Sequence, residues 1–354
     1  MITTTDPSRQ PVLVTGATGF IASRIIERLL GAGYPVHGTV RSIAKGKDVE
    51  LLRALPGAAS RLELFEADLG RSGSFDEAAR GCGAAIHTAS PYVLNVRNPQ
   101  RDLVDPAVNG TREVLGACAR AGTVTRVVLT SSMAAITDEP ENGRCLTEAD
   151  WNEKSSLTRN PYYYSKVLAE RAAWAFIERE TPAFDLAVIN PFAVIGPALT
   201  SGLNISNELF VRLLDGAFPA IISMAWGFVD VRDVAEAHLR AMETPLAHGR
   251  YLCAGEVLSM RSLVMLLRES GYDGFRLPVR SLDSPFGTWL ARLASYLQPP
   301  GTGQYLRTHL GRVPLYDTTK IRTELGMTFR PARESVLDTM ADLAKWGHLP
   351  LPSP

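Results

Sequence analysis

Between residues 11 and 190 the chain alternates short apolar runs with amphipathic stretches, and this rhythm restricts the fold more than any other feature. Runs at 11–15 (PVLVT), 35–40, 61–65, 84–88 (AAIHT), 126–130 (RVVLT) and 185–190 (DLAVIN) read as buried strands. Helical spacing fills most gaps, at 19–30, 101–121 and 162–179. Strand and helix in strict alternation require parallel pairing with right-handed crossovers, which is a doubly wound α/β sheet. After Pro191 the rhythm loosens. Residues 259–270, 319–325 and 335–345 read as helices, and 298–303 (QPPGTG) as a loop or short linker. The expected division is a nucleotide-binding sheet domain over 1–190 and a smaller C-terminal, mainly substrate-binding lobe over 191–354, partly interleaved with the sheet.

The first strand-to-helix turn reads VLVTGATGFIA. Gly16 allows a tight turn, Gly19 lets backbone approach a pyrophosphate, and Ala22 permits close helix–strand packing. Thr18, Phe20 and Ile21 complete the candidate phosphate contacts. The end of the second strand, VHGTVRS, lacks the carboxylate that would hold an adenine-ribose 2′-hydroxyl. Arg41 stands there instead, with Lys45 or Lys47 to assist, and a guanidinium suits a 2′-phosphate. The expected cofactor is NADP(H). Thr88, Ala89 and Ser90 follow the fourth strand, where the chain would pass the cofactor's phosphates and ribose.

PYYYSK places Tyr162 and Lys166 four residues apart, on one helix face. A phenol of pKa ~10 is a poor proton donor at neutral pH, and a neighbouring ammonium lowers that value. With 10 Tyr in 354 residues and six Lys, chance supplies roughly 0.2 such pairs, so position after the fifth strand carries part of the weight. That strand ends in Ser131 and Ser132, at the sheet edge where ligands bind. Ser132 is the first choice to hydrogen-bond a carbonyl, and Ser131 the second, as catalytic or pocket group. Asn109 reads as a helix-packing residue more than a proton relay.

Lys+Arg and Asp+Glu are both 37, so the formal net charge is zero. Nucleic acid and anionic membrane both demand a basic surface, so a small molecule is the expected partner. The four cysteines and six histidines show no ligand spacing, so no metal is expected. Residues 1–10 lack an apolar signal core, and the most apolar stretches, 186–199 and 217–229, are broken by prolines. A cytoplasmic monomer or homodimer fits.

In order, TGATGFIA, HTASPY, VNGT, VLTSSMA, YYYSK, INPFAVIGP, FVDVRDVAEAH and RYLCAGE resemble the dihydroflavonol-reductase-like group of extended short-chain dehydrogenases/reductases. The resemblance runs from residue 11 to about 345. It implies a Rossmann sheet, a Ser132–Tyr162–Lys166 set and NADPH-dependent reduction of an aldehyde or ketone. It further implies Asp68 and Leu69 at the adenine edge, Lys166 on the nicotinamide ribose, and Pro191 beside the nicotinamide. Val194 would serve the cofactor or the pocket wall. Other apolar pocket candidates are Tyr92, Met133, Phe192, Met224, Trp226 and Phe228. Thr137 replaces the Asn that grips the flavonoid ring in plant members, and 275–313 is longer, which favours a microbial-type carbonyl reductase. Hydroxysteroid dehydrogenation, sugar-nucleotide epimerisation or dehydration, and non-catalytic NADP sensing are the alternatives.

Overall fold

The computed structural model describes residues 10–44, 46–90 and 96–349. Its strands are β1 (Val12–Thr15), β2 (Val36–Val40), β3 (Leu62–Glu66), β4 (Ala84–His87), β5 (Arg126–Thr130), β6 (Asp185–Pro191), β7 (Ala193–Ile195), β8 (Ala225–Asp230), β9 (Gly249–Cys253) and β10 (Val257–Ser259), beside shorter pairs. The helices used below are α1 (Phe20–Gly31), α2 (Asp105–Ala121), α3 (Pro161–Glu180), α4 (Ile205–Leu214), α5 (Val231–Glu243), α6 (Met260–Leu267), α7 (Pro285–Ala294), α8 (Pro300–His309) and α9 (Ala332–Lys345).

Seven parallel strands form the central sheet in the order β9-β6-β5-β4-β1-β2-β3. The chain winds outward from β1 through β2 and β3, then returns to place β4 on β1's other side. That reversal opens a crevice at the carboxyl ends of β1 and β4, where such sheets bind ligands. Strand alternation sends Val12 and Val14 to one face and Leu13 to the other. The first face packs on α1 and α5, and the second on α2 and α3. Leu13 is fully buried, so truncating it to Ala would cost about 2–5 kcal/mol.

β7, β8 and β10 form a second small sheet. With α4, α6 and α9 it encloses a separate core containing Phe210, Phe228, Leu263 and Val336. The stretch 298–303, expected as a loop, instead turns into α8 at Pro300. Proline is well tolerated in a helix's first turn because its missing N–H has no intrahelical partner there. Gly303 is buried against the Ser295 backbone, which ties that turn down. The expected 101–121 helix starts with a wider turn, Gln100–Val104, before α2. Within α2, Asn109 is exposed and it is Gly110 that packs: a Cβ there would meet Leu69 Cδ2 at 2.7 Å.

Candidate active site

The turn after β1 closes through Gly16, whose φ of +70° is costly for a side-chain-bearing residue. A Cβ on Gly16 would also press to 3.2 Å of Ala89 Cβ, so the β1 and β4 exits touch here. Gly19 donates to Gly16 O at 2.8 Å and caps α1 with no side-chain hydrogen bond. The first turn of α1 holds no acid, so the N–H groups around Phe20 and Ile21 and the positive helix end remain for an anion. Thr18 is half-buried beside them. This cradle fits a dinucleotide pyrophosphate.

Thr15 organises the neighbouring turn, which the sequence reading passed over. Its Oγ1 accepts from the N–H groups of Thr88 and Ala89, each at 3.1 Å. With both lone pairs used, its proton goes to His87 Nδ1, 2.8 Å away. His87 is therefore the neutral tautomer protonated on Nε2. Burial, and then the charge of Lys166, push its pKa down to about 3. The Thr88 hydroxyl donates to Thr15 O, and Ser90 follows half-buried.

At the adenine side, Arg41 is exposed just past β2. Lys45 lies outside the described residues, and Lys47 Nζ sits 5.8 Å from the Trp346 ring centroid. Glu66, at the end of β3, accepts from Ile43 N–H at 2.8 Å, so its charge is engaged by backbone. Asp68 is exposed and accepts from Gly70 N–H at 2.8 Å, shaping its own turn. Leu69 packs on Gly110.

Asn160, in the left-handed region at φ 47°, starts α3 and is followed by Pro161. Such a conformation is uncommon outside glycine and needs support. Here Gln304 Oε1 accepts from Asn160 N–H at 3.0 Å, and the side-chain amide reaches Asp138 at 3.3 Å and Thr308 at 3.4 Å. That anchor sets Tyr162 in the first helical turn. Lys166 lies one turn on, its Nζ 5.8 Å from the centroid of the Tyr162 ring. Burial lowers the Lys166 pKa to about 8.

Ser132 is extended, and its Oγ accepts from Ala134 N–H at 3.1 Å. One lone pair is thus occupied while the hydroxyl proton can still be donated. The turn Met133–Ala135 that follows Ser132 packs directly on α3, the helix that carries Tyr162 and Lys166.

Ser131 points elsewhere. Its hydroxyl donates to Glu170 Oε2 at 2.5 Å in the interior, so the structure gives it a packing partner and not a place in the pocket. Glu170 also receives Asn190 Nδ2 at 2.9 Å, and Arg250 Nε lies 2.6 Å from its other oxygen. Asn190 Nδ2 reaches Ser132 O as well, at 3.2 Å. No local pattern in the sequence marks Glu170, Asn190 or Arg250 as a cluster. Asn190 and Arg250 sit inside noted motifs, but only the tertiary fold joins them.

Pro191 ends β6, buried at the cleft's rim strand. Val194 is buried in the main core, and Met133 is buried against Ile136, Leu146 and Leu252. Phe192 is half-buried, its ring 5.2 Å from that of Tyr316. Met224 and Phe228 are enclosed in the lobe's own core, so packing alone accounts for them. Trp226 is also in that core and donates its indole N–H to Tyr305 Oη at 2.9 Å. Tyr92 lies outside the described residues. Two surface hollows, around Phe65 and Arg71 and around Thr137 and Lys154, contain none of Ser132, Tyr162 and Lys166.

A doubly wound sheet with a glycine turn at its switch point is a nucleotide-binding architecture, and Ser132 and the Tyr162–Lys166 pair stand on elements that pack against one another. Residues 12–254 match the NAD dependent epimerase/dehydratase family. The chain is 37% identical over 344 residues to cinnamoyl-CoA reductase CAD2 of Medicago truncatula, covering 94% of this chain and 95% of that protein. Among solved structures it is similar to yeast methylglyoxal/isovaleraldehyde reductase Gre2 complexed with NADPH, with TM-score 0.78, 30% identity, and 96% and 99% of the two chains covered. It is also similar to vestitone reductase from alfalfa, with TM-score 0.75, 28% identity, and 96% and 100% covered. The protein belongs to the NAD dependent epimerase/dehydratase family and is an extended short-chain oxidoreductase.

Proposed function

We propose that the protein uses NADPH to reduce an aldehyde or ketone to an alcohol. The observation that carries this reading is the pairing of Tyr162 with buried Lys166 on one face of α3, packed on the turn that follows Ser132. When bound, the cofactor supplies a hydride to the carbonyl carbon. Gly16, Gly19 and the start of α1 would hold its pyrophosphate, and Arg41 would pair with its 2′-phosphate. Ser132 donates a hydrogen bond to the carbonyl oxygen and orients it. Tyr162 passes its phenolic proton to that oxygen. Below about 8 Lys166 keeps its own proton, and the ammonium stabilises the phenolate left behind.

The named relatives support this chemistry, since one is a cinnamoyl-CoA reductase and another an aldehyde reductase crystallised with NADPH. The absence of a strand-end acid after β2 supports NADPH over NADH. A panel of ketones and aldehydes, followed by NADPH absorbance, tests the reading. Turnover with at least one carbonyl, faster with NADPH than NADH, is expected. No oxidation of NADPH by any panel member would overturn it.

A further inference from the structure

Helix α7 is built inside out. It meets the lobe with small residues: Gly287 is buried and Ala291 half-buried, and Ser295 is buried in the turn that continues it. A Cβ at Gly287 would stand 2.5 Å from Leu282 O, and backbone cannot yield there. This close approach fixes which face is inward. The outward face carries Phe286, Trp289, Leu290, Leu293, Tyr296 and Leu297. Their spacing follows one helical stripe, about 17 Å long at 1.5 Å per residue. Phe286, Tyr296 and Leu297 are 69%, 70% and 88% exposed. Single exposed apolar residues are normal on a protein surface, whereas a contiguous stripe marks a docking face.

The charges of the segment that carries the stripe select its occupant. Residues 276–312 hold five arginines and one acid, Asp283. Asp283 is paired with Arg261 at 2.7 Å, and Arg312 with Glu139 at 2.6 Å. Arg276, Arg280, Arg292 and Arg307 have no carboxylate partner among the described residues. Arg307 lies over the Tyr296 ring at 4.5 Å, on the stripe's border, and Arg292 flanks the stripe on α7 itself. A two-fold dimer through this face would set one arginine rim against another, a like-charge contact. A surface both apolar and anionic satisfies stripe and rim together.

We propose that α7 docks the protein on an anionic lipid bilayer. The apolar stripe enters the acyl boundary, the aromatic residues sit at headgroup level, and the arginines meet lipid phosphates. Among the described residues no helix is long and apolar enough to cross a membrane, so the association is peripheral. The neutral total charge, which spoke against an anionic membrane, hides this local excess. α8 carries His309, whose ring lies 6.1 Å from that of Tyr163, the neighbour of Tyr162 in the chain. The arrangement suits a carbonyl substrate that partitions into lipid. That substrate clause rests on the reductase reading, while the docking does not.

The test is co-sedimentation of the full chain with vesicles of phosphatidylcholine alone and of phosphatidylcholine mixed with phosphatidylglycerol. Binding to the mixed vesicles is expected, weakened by high salt, with a blue shift of tryptophan fluorescence that Trp289→Ser diminishes. The triple variant Trp289→Ser, Leu293→Ser, Leu297→Ser should partition at least about tenfold less, given the apolar area lost. It should melt no lower than wild type and retain whatever turnover of a water-soluble ketone wild type shows. Arg280→Gln with Arg292→Gln should weaken binding to mixed vesicles selectively. No binding by wild type, equal binding to both vesicle types, or equal binding by the triple variant overturns the proposal. So does a wild-type dimer, seen by light scattering, that the triple variant splits. Binding that persists without any carbonyl turnover would leave docking standing and sink the reductase reading instead.

Discussion

Glu170 and Arg250 form a buried ion pair, with Arg250 Nε 2.6 Å from Glu170 Oε1, the Glu170 side chain fully enclosed and that of Arg250 7% exposed. The pair joins α3 to the edge strand β9, and Glu170 gathers Ser131 and Asn190 onto the same carboxylate. Arg250 also stacks on Trp151 at 4.0 Å and donates to backbone carbonyls, including Glu148 O at 3.0 Å. Removing one partner leaves an uncompensated buried charge, which costs about 3–5 kcal/mol. Arg250→Leu should therefore lower the melting temperature by about 4–7 °C, since an unfolding entropy of about 2.1 cal/mol/K per residue over 354 residues makes each kcal/mol worth about 1.3 °C. A calorimetric scan checks it, and an unchanged melting temperature would show the pair to be dispensable.

Lys166 couples stability to activity through the sign of its shift. Its pKa falls from 10.5 unfolded to about 8 in the native apoprotein because burial disfavours the ammonium. Below about 8 both states are charged, and burial costs stability. Between about 8 and 10.5 the unfolded chain binds a proton that the native state does not, so stability from this group rises with pH. Lys166→Met should thus melt higher than wild type near neutrality, and the gap should close across that window. The same variant should lose about 10²-fold or more in kcat, since the phenolate loses its counter-charge. A variant that melts lower than wild type at neutral pH would contradict this account.

Three buried imidazoles make the fold acid-sensitive. Burial lowers the pKa of His87 to about 3 and of His238 and His309 to about 4, from 6.5 in the unfolded chain. Above 6.5 all three are neutral in both states and their contribution is complete. As pH falls from 6.5 toward 4 the unfolded chain takes up protons first, and stability is lost at up to about 1.4 kcal/mol per pH unit per group. Urea unfolding across this range should show a falling midpoint. The decline should be shallower in His238→Gln, which removes one of the three titrating groups. A flat midpoint would mean these rings are protonated or solvated in the native state.

Arg41 is an exposed cation at the end of a strand without a terminal acid. Arg41→Ala should raise KM for NADPH by about 10–100-fold, the value of one or two charge-assisted hydrogen bonds, and leave NADH nearly unchanged. Steady-state kinetics with both cofactors decide this. An unaltered preference would remove Arg41 from the 2′-phosphate.

The sheet was legible because its evidence is local. The RVVLT run at 126–130 is β5, and the apolar spacing at 19–30 is α1 to within a residue. Tyr162 and Lys166 were legible for the same reason, since four residues on a helix are neighbours in sequence and space. Ser131 and Ser132 were harder. Adjacent residues in extended backbone point to opposite sides, and nothing local says which side holds Glu170. The Glu170, Asn190 and Arg250 cluster draws on α3, β6 and β9, so only the assembled fold brings it together. The stretch 298–303 misled because Pro and Gly usually end helices, whereas Pro300 begins one.

The central claim is that Tyr162 delivers the proton to a carbonyl oxygen. The direct measurement is single-turnover oxidation of NADPH by Tyr162→Phe, with NADPH binding followed by fluorescence on the same sample. The account predicts cofactor affinity within about threefold of wild type and a rate lower by about 10²–10⁴-fold, the usual contribution of general acid catalysis. Undiminished turnover in Tyr162→Phe would contradict it.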